Sequence, residues 1–149
     1  MPLDKTEFEH FKSIDFLNVA HELNENLLEF ESSSSSVKRT IFGRSYYATF
    51  IFLREILKNN TEYISNPYGE HRRLPNYIKF KGPFDEKTNK ELYDSINTLK
   101  KLRHQSDYYI KVPPKGTKEY DDWVFEDCDF AINLAFKIIK LFEKHFNNS

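Results

Sequence analysis

Arginine, tyrosine and histidine residues at helical spacing are what this chain offers for chemistry. Arg103 stands in the run Leu99-Lys100-Lys101-Leu102-Arg103-His104-Gln105-Ser106-Asp107-Tyr108. At about 100° per residue it falls within about 40° of Leu92, Ile96 and Leu99, an apolar helical stripe. A guanidinium so placed must pair with an acid, reach water in a cleft or hold an anion, because an unpaired buried charge is very costly. Arg44, in Gly43-Arg44-Ser45-Tyr46-Tyr47-Ala48, poses the same problem on a second predicted helix. Two inward arginines suit phosphate, whose oxygens match the planar guanidinium fork. The competing structural arrangement pairs Arg103 with Asp107 or Glu55, and Arg44 with Glu55 or another acid.

The neighbouring candidates have the same double reading. His71-Arg72-Arg73 is either a phosphate contact or a solvated basic turn. Tyr46, Tyr47 and Tyr108 are site groups or core aromatics with a bonded hydroxyl. His104 suits the exposed end of a helix, where the dipole favours a cation, and Lys100-Lys101 suit a solvated face. Glu7 and His10 have the Glu-x-x-His spacing of bundle di-metal sites, but no second copy occurs, so neither metal nor cofactor is expected.

Helices must position these groups. Phe8, Phe11, Ala20, Leu23, Leu27 and Phe30 recur at three- and four-residue spacing and predict a first helix over residues 4 to about 30. A five-serine run, 32–36, reads as a flexible connection with Ser36 capping the next helix. That helix, residues 37 to about 58, is apolar on two sides and should be central. Residues 59–69 read as a loop, and 71–80 as a short segment whose helicity Pro75 limits. A further helix is predicted from Asp85 or Glu86 to about Gln105, then a long loop over 106–122. Asp122 is expected to cap a last helix running to about Phe146. The sum is an all-α antiparallel bundle of four main helices and one short one, a single domain spanning the whole chain.

Composition narrows the function classes. The chain has 149 residues, with 22 Lys plus Arg against 23 Asp plus Glu, so no global basic field points to nucleic acid and any such contact must be local. Four glycines and no glycine-rich motif argue against a phosphate-cradling loop. A single cysteine, Cys128, excludes an internal disulfide and multi-cysteine metal sites, and reads as a small buried hydrophobe. No apolar run approaches the ~20 residues of a membrane span, and no apolar signal region follows Met1, so a cytoplasmic protein is expected.

Arg44-Ser45-Tyr46-Tyr47-Ala48-Thr49-Phe50 followed by Leu57 resembles the second-helix signature of HEPN domains. Leu99 to Tyr108 resembles that family's Leu-x-x-Arg-x-x-Ala-Asp-Tyr element, with Ser106 for Ala, and His71 is similar to its Lys-His element, with Glu70 for Lys. The resemblance implies a HEPN-like bundle of four to five helices, a homodimer, and a place in a prokaryotic toxin–antitoxin, antiviral or defence system. It implies RNA as target and a cognate antitoxin or nucleotidyltransferase as partner. Many members are metal-independent endoribonucleases in which Arg is followed, after four to six residues, by His. Here that window opens on Tyr108-Tyr109-Ile110 and holds no His. Phosphorane charge can be met by arginine, but proton transfer at neutral pH wants histidine. Three readings follow. The first is RNA binding or cleavage, with Arg103, Asp107, Tyr108 and His104 as catalytic candidates and Arg44, Tyr47, His71, Arg72 and Arg73 as nucleic-acid contacts. The second is a non-catalytic interaction module, and the third a small-nucleotide sensor.

Overall fold

A computed structural model describes residues 5–26, 34–108 and 111–147, with side chains for 14–26, 36–108 and 111–147. Their regular elements are all helices, with no strand among the described residues: α1 (Lys5–Glu25), α2 (Ser34–Asn60), α3 (Glu70–Lys81), α4 (Glu86–Tyr108), α5 (Lys118–Asp121) and α6 (Cys128–Asn147). The two-sided apolar character of α2 is realised as a central position, since it packs on α1, α4 and α6. Tyr46, Leu53 and Leu57 are buried on one side of α2, Ile41 and Ala48 on the other. Leu17 and Ala20 of α1, Leu92, Ile96 and Leu99 of α4, and Ala135, Ile138 and Phe142 of α6 close the core around it. α3 lies on α4. No helix among the described residues is long and apolar enough to cross a membrane.

The helix boundaries depart from the sequence expectation at five places, each for a local reason. Residues 34–36 belong to α2 rather than to a flexible connection, and the Ser36 carbonyl accepts a bond from Thr40 Oγ1 at 3.0 Å. Residues 27–33, with Leu27, Phe30 and the first serines, lie outside the described part. α3 is a full 12-residue helix that tolerates Pro75. Gly69, at φ 66°, turns the chain into it. Buried Glu70 holds the preceding loop, accepting from the Tyr63 hydroxyl (2.6 Å), Ser65 Oγ (3.2 Å) and the Asn66 amide (3.3 Å). α4 begins under an Asp85 cap, whose carboxylate accepts from the Thr88 amide at 2.7 Å, and continues past Gln105 to Tyr108. α5 adds a one-turn helix inside the expected loop, capped by Thr117.

The last difference shapes the site. α6 starts at Cys128 and not at Asp122, with Asp127 capping it by accepting from the Phe130 amide at 2.8 Å. Residues 123–127 stay out of the helix because the Gln105 side chain pairs with both backbone groups of Val124. Its Oε1 accepts from the Val124 amide at 2.6 Å, and its Nε2 donates to the Val124 carbonyl at 3.0 Å. A segment satisfied in this way has no need of helical hydrogen bonds. Cys128 is buried at the head of α6, and burial pushes its thiol up to about 11, the behaviour of a packed hydrophobe.

The α3–α4 turn is equally tight. Asn89, buried, donates to the carbonyls of Gly82 and Phe84, both at 3.1 Å, and accepts from the Phe84 amide at 3.2 Å. A side chain at Gly82 would collide with Asn89 and with the Ile78 carbonyl. This clamp sets α3 against α4 and so places His71.

A candidate anion-binding groove between α2 and α4

Arg103 and Arg44 meet in one groove, although they come from different helices. Phe16 of α1, Arg39, Arg44, Tyr47 and Ile51 of α2, and Arg103 and Asp107 of α4 line it. The Arg103 guanidinium carbon lies 4.6 Å from the centre of the Tyr47 ring and 5.8 Å from that of Tyr46, and Arg44 lies 5.5 Å from the centre of Phe16. These rings give each cation a partly apolar seat without neutralising it. Asp107 Oδ2 is 3.2 Å from Arg103 Nε, but not along its N–H direction, so the contact is a charge pair and not a hydrogen bond. The Nε of both arginines is buried with no hydrogen-bond partner. Glu55 pairs with neither arginine; it is held by Arg54 (3.3 Å) and Lys58 (3.2 Å), further along α2.

Below the groove the Tyr46 hydroxyl and His71 Nδ1 share a hydrogen bond of 2.6 Å, joining α2 to α3. The His71 ring stacks on Phe50 at 4.3 Å and meets Tyr47 edge-on. Pro75 has no N–H for the His71 carbonyl four residues back, and Lys100 Nζ of α4 stands 3.5 Å from that oxygen. Burial raises the Tyr46 phenol well above its ordinary value. Burial foremost, and the Arg103 and Lys100 charges with it, lower the His71 pKa from the ordinary 6.5, so the imidazole is neutral at pH 7.

That depression has a sign. The unfolded chain takes up a proton on His71 before the folded one does, so stability is complete above pH 6.5 and is lost as pH falls below it through the lower folded value. The urea midpoint should therefore be lower at pH 5.5 than at pH 7.5. In His71→Gln that part of the drop disappears, and an equal drop in wild type and variant would contradict it.

The remaining candidates sit elsewhere. The His104 and Tyr108 rings meet at a tilt with their centres 4.7 Å apart, about a third of a helical turn or more from Arg103, and Tyr108 is largely exposed. Arg73 donates to the carbonyls of Tyr68 and Asn66, which places its guanidinium on the loop before α3. Arg72 faces a neighbouring cleft with Lys100, Arg103 and His104. Sequence reasoning placed Lys100 on a solvated face and did not single out Phe16; no pattern within α1 or α4 tells which helix each will meet. Among the described residues no three His, Cys, Asp or Glu side chains are grouped to hold a metal; Glu7 and His10 fall outside the described side chains.

Fold and site together define an all-α bundle with a two-arginine groove on its central helix. The chain belongs to the same family as the Uncharacterized protein MJ0628 of Methanocaldococcus jannaschii, to which it is 31% identical over 145 residues, covering 87% of this chain and 83% of that protein. No protein-family model matches the chain. No solved structure matches it either.

Proposed function

We propose that this chain is a HEPN-type protein of a prokaryotic toxin–antitoxin or defence system, and that it binds RNA through phosphate held by Arg44 and Arg103. One observation carries the reading. Two guanidinium groups with buried, unbonded Nε atoms line a single groove in which Asp107 is the only carboxylate among the described lining residues. The arginine charges outnumber that one carboxylate, so the groove attracts anions, and phosphate oxygens match the planar guanidinium fork. The groove's volume, about 520 Å³, is that of a small-ligand site and admits a phosphate with its sugar.

The reading is of binding and not of cleavage. Neither histidine lines the groove: His71 is bonded to Tyr46, and His104, against the Tyr108 ring, lines the neighbouring cleft. Anisotropy of a labelled RNA is expected to show affinity falling linearly with salt on logarithmic axes, by about 0.7 per phosphate engaged, and the RNA should stay intact in EDTA. Affinity independent of salt would overturn the phosphate site, and cleavage in EDTA would overturn the non-catalytic reading.

A further inference from the structure

We infer that the rings of Trp123 and Phe125 form a base-stacking subsite for single-stranded RNA beside the two-arginine groove; the inference rests on the RNA-binding reading above. The surface around the C-terminal half of α4 is continuous. The Arg44–Arg103 groove shares Arg39 with a depression that Phe42, Trp123 and Phe125 line, and this depression shares Trp123 and Gln105 with the cleft that contains Arg103. A strand whose phosphate sits on the arginines has this depression as its next recess.

The recess is built to offer ring faces. Tyr120, Trp123 and Phe125 form one cluster, with Phe125 5.5 Å from Tyr120 and 6.5 Å from Trp123 between ring centres. Phe125 is 59% exposed. An exposed phenyl normally folds against its own core or moves freely, but the Gln105 amide on Val124 holds the backbone between the two rings in place. Charge is mixed there: Lys38, Arg39 and Lys111 line it together with Glu126 and Asp127, a smaller positive excess than in the arginine groove. Phosphate therefore gains less in this recess than on the arginines, and stacking is what the recess adds. Every base has a π-face, whereas a duplex keeps those faces inside its own stack, so only an unpaired strand can use both the arginines and the rings.

Trp123 is the sole tryptophan, which makes its fluorescence a direct reporter. A short mixed-sequence RNA is titrated into the full chain, alone and annealed to its complement. The single strand is expected to quench Trp123 and to bind about tenfold tighter than the duplex. Phe125→Ala should lower single-strand affinity about tenfold, with Phe125→Tyr restoring it, while the salt slope and the duplex affinity stay as in wild type. Equal affinities for the two RNAs, an unquenched Trp123, or an unaffected Phe125→Ala variant would overturn the subsite and leave the arginine site standing. No binding of either RNA would overturn both.

Discussion

Replacing Arg44 and Arg103 together by alanine is expected to weaken RNA binding by about a hundredfold or more, because each removes a charge-assisted contact worth about 1.5–3 kcal/mol. The fold should survive. Asp107 is 38% exposed and can return to water, so its pairing with Arg103 contributes no more than about 1 kcal/mol. Loss of the seats on Tyr47 and Phe16 adds about as much again. This differs from the expectation for a fully buried arginine, whose removal strands its acid and costs about 3–5 kcal/mol. Helical circular dichroism and a urea titration of the double variant, beside its RNA affinity, separate the two cases. A variant that binds as wild type does would remove the site; one that no longer folds would make the arginines structural. The salt slope should flatten by about 0.7 for each phosphate lost, a change that altered packing alone would not produce.

Phe142→Ala is expected to destabilise the bundle by about 3–5 kcal/mol, which for a chain of this size lowers the melting temperature by on the order of 10 °C. Phe142 is fully buried, meets Phe84 edge-on at 5.3 Å and stacks with Phe146 at 6.4 Å. It lies near the end of α6 and packs beside the turn that Asn89 clamps, so the neighbours cannot collapse into the space without disturbing α3 and α4. Phe80→Ala, at a ring that is 74% exposed, should change stability by less than about 0.5 kcal/mol and serves as the control. A loss under about 1 kcal/mol at Phe142 would mean that the core repacks freely there.

Much of the fold was legible in apolar spacing. The stripe Leu92, Ile96, Leu99 of α4 and the two-sided character of α2 follow from helical pitch alone, and both are realised as buried faces. The pairing of Arg103 with Asp107 was legible for the same reason: residues four apart in a helix are neighbours whatever surrounds them. Local signals misled where a distant group intervened. Pro75 argued against a regular helix over 71–80, yet its burial and the Lys100 ammonium beside the His71 carbonyl make the helix tolerable. Asp122 looked like the last cap, but the Gln105 amide satisfies Val124 and leaves that role to Asp127.

The amino-acid sequence by itself determined an all-α fold, the absence of an internal disulfide, and two arginines on largely apolar helix faces. Tertiary structure decided that those arginines share one groove, that His71 meets Tyr46, and that Trp123 and Phe125 stand beside the groove on a pinned segment. The physical reason is the range of the forces involved. Helix pitch and i,i+4 pairing act within one element, so residue types in order are enough to foresee them. Which faces of α1, α2, α3 and α4 meet depends on the summed packing of many side chains along their crossings, and no single stretch of sequence contains that sum.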